Sequence, residues 1–245
     1  MVDQVKVHKK NRFVRYRDLK WSDINCDLHI HTSYTDGQSD IRAILEHAVD
    51  LGLKRIAFTE HVRKESAWFK KFADEVRKEG RLCSPIEVLV ACETKARDCV
   101  GTLDVNEETL GECDFVVGSV HRFPAPDGGY LDFASLDQNQ MERCEYEMAL
   151  GLLTKAPIDV LAHPGGMSMK KYGGFSSDLM KSLLEASLRR KVAIEINASY
   201  IQNLPDFLDI CARINPYVSI GSDVHELHQL GSCRDKLKAY GIGNI

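Results

Sequence analysis

Nothing in this 245-residue chain is apolar for long enough to cross a bilayer. Its first residues, MVDQVKVHKKNRF, lack the hydrophobic core of a signal peptide. Both absences lead to the expectation of a cytoplasmic protein. Eight cysteines are present, yet no two form a C-x-x-C pair. Spread singly through strand and helix patterns, they read as reduced, mostly buried thiols. An excess of positive charge is missing too, the formal net charge being −4. That argues against a broadly basic nucleic-acid surface, although KVHKKNRFVRYR near the N-terminus forms one basic cluster. There is no G-x-x-x-x-G-K-[ST] loop, no G-x-G-x-x-G, and no serine or cysteine nucleophile motif.

What the chain does have is a set of histidines and acids that fall just after apolar runs. Runs suited to strands occur near residues 24–30, 54–59, 86–92, 114–120, 158–162, 192–197 and 217–221. Several, such as IEVLVAC and DFVVGSV, are near-continuous, as in parallel strands buried on both faces. Amphipathic stretches near 39–51, 65–79, 136–153, 176–190, 205–213 and 227–239 read as helices. The first carries Ile41, Ile44, Leu45 and Ala48 at helical spacing, with Ser39 as the expected cap and Gly52 as its stop. Residues 94–113 hold a short loop or hairpin and one helical turn around Asn106–Leu110. Residues 122–135, with two prolines and Gly128-Gly129, form a long loop over the site. Seven strands alternating with helices predict one α/β domain over 1–245, a leader (1–23) followed by a closed or nearly closed barrel (24–245). An open doubly wound sheet is the alternative.

Mapped onto those strands, the candidate ligands sit at the C-terminal ends: His29 and His31 on the first, His61 on the second, Glu93 on the third, His121 on the fourth, His163 on the fifth, and Asp223 and His225 on the seventh. The sixth ends in Asn197. Imidazole and carboxylate are the ligands of zinc, manganese and iron, and a carboxylate can join two ions. His29 and His31 are two apart, so both project to one side of their strand, and Asp223 and His225 repeat the spacing. A lone H-x-H pair could equally be hydrogen-bonded polar groups at a strand end. Glu93 closes an apolar strand, where burial is costly without a compensating cation. It reads as a bridge between two metals, or, in the plainer alternative, as the partner of Lys95 or Arg97. Cys92 should point away from the site. Arg122, Arg63, Lys170 and Lys171 are candidates for gripping a phosphate, Arg122 foremost because its planar fork suits bidentate contact. Tyr34 and Phe123 could shape the pocket. Trp21 and Trp68 read as packing, and His8, His47 and His228 lie outside the motif set.

In order and spacing, DLHIHT, FTEH, Glu93, SVH, AHPGG and SDVH resemble the PHP (polymerase and histidinol phosphatase) family over residues 26 to 233. The resemblance implies a distorted (β/α)7 barrel holding two or three divalent ions, zinc, manganese or iron. By it, His29, His31, Glu93 and Asp223 would hold one ion, Glu93, His121 and His163 a second, and His61 and His225 a third. Many relatives supply a further histidine to the third site. Here that stretch reads SYTDGQSD, and Asp36 is the expected substitute. The implied reaction is hydrolysis of a phosphate ester by a hydroxide shared between two ions, with His61 or His225 assisting the leaving oxygen. A small phosphorylated substrate such as L-histidinol phosphate is the leading expectation. A nucleotide or nucleic-acid phosphodiesterase is the second, and a non-catalytic metal-stabilised module the third.

Overall fold

The computed structural model describes residues 12–243 except 84 and 126, so His8 lies outside the described residues. The described residues begin with a two-residue strand β1 (Val14–Arg15) and a short helix α1 (Trp21–Ile24). Strand and helix then alternate through β2 (Cys26–Ile30), α2 (Ile41–Asp50), β3 (Arg55–Val62), α3 (Phe69–Leu82), β4 (Glu87–Lys95), α4 (Glu107–Glu112) and β5 (Phe115–Ser119). They continue through α5 (Gln138–Lys155), β6 (Val160–Leu161), α6 (Gly166–Tyr172), α7 (Ser177–Arg190), β7 (Ala193–Ile196), α8 (Leu204–Ile214), β8 (Tyr217–Ile220) and α9 (Ser232–Ala239).

Strands β2 to β8 are parallel neighbours in chain order, as expected of a barrel whose strands are buried on both faces. The barrel is distorted at the seam between its first and last strands. Among the described residues, the ladder across that seam is one parallel bridge, Ile30 to Val224. His31 N donates to Val224 O at 2.8 Å, and Val224 N donates to His29 O at 3.0 Å. Below the bridge the carboxylate of Asp27, fully buried, accepts from Ser222 N at 3.0 Å and Gly231 N at 2.8 Å. A buried carboxylate needs such donors, and here they pin the two chain ends of the barrel together.

The leader contributes an eighth strand. β1 lies antiparallel on β8, and Phe13 packs edge-on against Phe115 at 5.5 Å. The described part of the basic segment is engaged by the fold: Arg12 meets Asp114 at 3.0 Å, Arg15 donates to Asn215 O, and Arg17 donates to the carbonyls of Ala212 and Arg213.

Local details depart from the expectations for physical reasons. Asp40, not Ser39, caps α2, its side chain accepting from Ala43 N at 2.8 Å; the cap must directly precede the first helical residue. α6 falls outside the stretches expected to be helical, since its few residues show little apolar period. It is held from outside by Glu145, buried, which accepts from Met167 N and Ser168 N at 3.0 Å. The expected helix over 227–239 is a 3-10 turn at Leu227–Gln229 followed by α9, parted by Gly231 at φ 74°. Trp68 packs on Phe72 as expected, whereas Trp21 is 37% exposed with the Lys238 ammonium over its ring. No disulfide joins cysteines among the described residues, and Cys92 is buried. No described helix is long and apolar enough to cross a membrane.

Candidate metal centre

A break in the pleat of β2 aims the first ligands. Asp27 pairs with Ile56 but Ile30 pairs with Phe58, so one extra residue bulges from β2 between them. The Thr59 hydroxyl fills the gap, accepting from Ile30 N at 3.1 Å and donating to Leu28 O at 3.2 Å. His29 and His31 are then presented, both buried, at the mouth of the barrel. In register with them, His61 on β3 lies beside Glu93 on β4.

Glu93 is 2% exposed and divides its two oxygens between two groups. Oε2 lies 3.5 Å from the Nε2 atoms of both His29 and His31 and 2.7 Å from His61 Nδ1. Oε1 lies 3.2 Å from His121 Nε2 and 3.1 Å from His163 Nε2. Asp223 Oδ1 completes the first group at 3.6 Å from His29 Nε2 and 3.2 Å from His31 Nε2. The plainer alternative for Glu93 does not hold, since Lys95 pairs instead with Asp104 at 3.2 Å. A third group forms around Asp36, whose oxygens lie 3.4 Å from His61 Nε2 and 3.4 Å from His225 Nε2. His31 Nδ1 stands 4.0 Å from the same carboxylate. Asp36 thus occupies the corner left without a histidine in the sequence.

These spacings and partners fit metal ions. Two ligand atoms each about 2.1 Å from one tetrahedral ion stand about 3.4 Å apart, longer than a good charged hydrogen bond. His29 Nε2 and both ring nitrogens of His31 are buried with no hydrogen-bond partner. Orphaned polar atoms of this kind are costly unless something binds them, and the two Nε2 atoms converge on Glu93 Oε2 and Asp223 Oδ1 while His31 Nδ1 faces Asp36. The ring orientations agree. His29 Nδ1 faces Glu195 Oε1 at 2.7 Å, and His225 Nδ1 faces the Asp223 carbonyl at 3.0 Å. Both partners only accept, so the proton sits on Nδ1 and the Nε2 lone pair points to the centre. Burial pushes the Glu93 carboxyl up, but the imidazoles of His121 and His29 outweigh it and hold the group well below the usual carboxylate range. Burial, with the neighbouring imidazole charges, lowers His31 to about 4.

Two candidate ligands sit on strained backbone, His163 at φ 25° and Asp223 at φ 53°. Non-glycine residues in that region cost about 1–3 kcal/mol each and persist where their surroundings fix them. Glu195 supplies part of that fixing, accepting from His163 N at 2.7 Å as well as from His29. Tyr200 supplies another part, donating from its hydroxyl to Asp223 Oδ2 at 2.5 Å. Gly221 is required between them: a Cβ there would overlap the Glu195 carboxylate and stand 2.7 Å from His29 Cβ. Glu60, buried on β3, accepts from Thr32 N at 2.7 Å and from the Thr35 hydroxyl, holding the turn that carries Asp36. None of Glu195, Tyr200, Asp27 and Glu60 was expected from the sequence. Glu195 and Glu60 carried a signal all the same, being acids inside apolar strands like Glu93.

The mouth opens into two joined lobes. One, about 290 Å³, is bordered by Asp36, His163, Lys170, Tyr200, Asp223 and His225. The other, about 460 Å³, is bordered by Arg63, Lys95, Arg122 and the Tyr130, Leu131 and Phe133 side chains of the long loop. Arg122 lies over the Tyr130 ring at 5.1 Å, and Lys170 over the Tyr200 ring at 4.8 Å. Lys171 turns elsewhere: its ammonium donates to the carbonyls of Phe133 and Leu136, bracing the loop from below. Phe123 is buried behind Phe133, and Tyr34 donates to Glu75 while packing on Trp68 and Phe72, so neither borders the mouth.

Known proteins are similar to this chain to differing extents. A "DNA polymerase/3'-5' exonuclease PolX" of Bacillus subtilis is 25% identical over 187 residues, 74% of this chain but only 30% of that protein. A protein named "Probable phosphatase" from Caldicellulosiruptor bescii is 26% identical over 223 residues, 86% of this chain and 83% of the relative. Among solved structures, a candidate histidinol phosphatase, hisK of Listeria monocytogenes, superposes with a TM-score of 0.69 at 14% identity. That match covers 88% of this chain and 99% of the other, and it bears on the fold alone. The family model for the PHP domain matches residues 27–199, which hold all the candidate ligands but Asp223 and His225, and the chain therefore belongs to the PHP domain family.

Proposed function

We propose that the chain is a metal-dependent phosphatase acting on small phosphomonoesters, with His29, His31, Asp36, His61, Glu93, His121, His163, Asp223 and His225 as the ligands of two to three divalent ions. The observation that carries this reading is the set of buried, unpartnered ligand atoms gathered around Glu93 at a cation-lined mouth. Bound there, divalent ions neutralise phosphate oxygens and make water a nucleophile near neutral pH. The side chains do the rest. Arg122, held over Tyr130, and Lys170, held over Tyr200, face the mouth from two sides and grip the non-bridging oxygens. Glu93 keeps the two ligand groups in fixed relation through its separate oxygens. His61 and His225, half-buried beside Asp36, serve the leaving oxygen in one of two ways: through an ion that they would hold with Asp36, or, with no third ion bound, as protonated imidazoles donating from Nε2. The long loop, with Tyr130 and Phe133 over one lobe, favours a compact ester over a polymer.

The test is phosphate release from L-histidinol phosphate and p-nitrophenyl phosphate by protein reconstituted separately with manganese and zinc. A kcat/KM of about 10⁴ M⁻¹ s⁻¹ or more on either monoester, nearly abolished in Glu93→Gln, is the expected result. Wild-type turnover in Glu93→Gln removes the bridging assignment. Hydrolysis of diesters alone replaces the monoesterase with a phosphodiesterase.

A further inference from the structure

Three neighbouring strands each carry a cation just beyond a candidate ligand. Past the end of β3, Arg63 follows His61 by two residues; on β4, Lys95 follows Glu93 by two, with Arg97 two further on past the strand end; after β5, Arg122 follows His121 directly. Two residues along a strand return the side chain to the same face roughly 7 Å further on. That repeat sets Lys95 above Glu93, and Arg63, Arg97 and Arg122 join Lys95 around one groove, so the rim above β3–β5 has two tiers, candidate ligands below and cations above. The opposite side has no such tier: His31 is followed at that interval by Ser33, His163 by Gly165 and Asp223 by His225. The cations border a groove of about 310 Å³ with Glu65, Asp104 and Tyr130, and this groove shares Arg63, Lys95, Arg122 and Tyr130 with the larger lobe of the mouth.

Those cations are not used up within the protein. Lys95 is tied to Asp104, but Arg63, Arg97 and Arg122 form no carboxylate ion pair among the described residues. Arg42, Arg55, Arg77, Arg143 and Arg189 do, while Arg15, Arg17 and Arg190 donate to carbonyls; Arg81 and Arg213 also lack such a pair but do not border this groove. Unpaired guanidinium groups sharing one concave surface favour a planar oxyanion, which they can meet bidentately. We propose that this upper tier is a subsite for a second phosphate, so that the preferred substrate is a small monoester carrying another phosphoryl group one strand repeat from the scissile one. The inference rests on the phosphomonoesterase reading above, and it ranks an amino-bearing ester such as histidinol phosphate below a bisphosphate.

Equilibrium binding separates the two ideas. Manganese-loaded protein is titrated calorimetrically with non-hydrolysable alkane-α,ω-bisphosphonates of three to six carbons and with the matching monophosphonates. The expected result is at least tenfold tighter binding of one bisphosphonate than of its monophosphonate. The double variant Arg63→Gln/Arg97→Gln, at two exposed positions, should cut that ratio to less than threefold. Equal affinities in the wild type, or a ratio that survives the double variant, overturn the subsite. The chain-length dependence in the wild type stands even where a variant is poorly behaved. If the ratio is present while neither p-nitrophenyl phosphate nor histidinol phosphate is hydrolysed, the subsite holds and the phosphatase reading falls. If monoesters are hydrolysed with no ratio, the reverse is true. A single-stranded oligonucleotide that displaces the bisphosphonate and binds more tightly overturns the small-substrate proposal in favour of nucleic acid.

Discussion

Replacing Glu195 with glutamine removes a charge and almost no volume, and it isolates what this buried acid does for the centre. Glu195 accepts from His29 Nδ1 and from His163 N, each at 2.7 Å. A glutamine in the same place has one carbonyl oxygen to offer. With that oxygen toward His163, its NH₂ faces His29 Nδ1, which must turn acceptor and move the ring proton to Nε2, the atom aimed at Glu93 and Asp223. With the oxygen toward His29, two N–H groups confront each other at His163, whose backbone is already strained. A hydrogen bond to a charged group contributes about 1.5–3 kcal/mol, and the loss of an outer partner of a ligating histidine weakens metal binding roughly 10–100-fold. We expect Glu195→Gln to bind zinc or manganese roughly 10–100-fold more weakly in competition with a chromophoric chelator, about 1.4–2.8 kcal/mol, with a circular dichroism spectrum like the wild type's. Affinity within twofold of wild type in the folded variant would refute the reasoning, because the imidazole would then be oriented without the carboxylate.

Tyr200→Phe removes the hydroxyl that holds Asp223 Oδ2 and should weaken metal binding by about 1–2 kcal/mol while leaving thermal stability nearly unchanged; chelator competition beside a melting curve checks both. Lys171→Ala frees the carbonyls of Phe133 and Leu136, so KM for a monoester should rise severalfold with metal content intact, and unchanged steady-state kinetics would show that the loop does not need this brace. Burial raises Asp27 to about 6, against about 4 in an unfolded chain. The folded state therefore holds a proton the unfolded state has lost, so this group favours folding below pH about 4, and that contribution fades as pH rises to about 6. Across that window the wild type should lose stability relative to Asp27→Asn by at most about 3 kcal/mol, measured by urea titration of metal-free protein; parallel curves would assign the pH dependence to other groups.

Much of the site was legible because its chemistry forces polar residues into places where apolar ones belong. His29, His31, Glu93 and His163 each interrupt a strand that otherwise reads as core, and the alternation of strands and helices put all of them at one end of a barrel. Glu195 escaped although it interrupts β7 in the same way, since it stands one residue inside the strand rather than at its end. Glu60 was hidden by the more conspicuous His61 beside it. Asp27 and Tyr200 carried no local signal: their partners, Ser222, Gly231 and Asp223, are remote in sequence or lie on another loop, and only the folded chain brings them together. The cap of α2 was missed for a smaller reason, as helix ends depend on one side chain and slip by a residue or two, and α6 was missed whole because seven residues show little apolar period.

The seam carries a kinetic meaning. Asp27 and Ser222 stand 195 residues apart, and the bridge at Ile30 and Val224 joins nearly the same two ends. Contacts of such long range form late, because their loop entropy is recovered only once the intervening chain is in place. Ions bound by His29, His31 and Asp223, as proposed, would straddle that join, and their binding free energy would act directly on it. Chelation should then loosen the protein along one line before it loosens anywhere else. In hydrogen–deuterium exchange the amides of His31 and Val224 would be the first to lose protection, while those of β4 and β5, on the far wall, kept theirs.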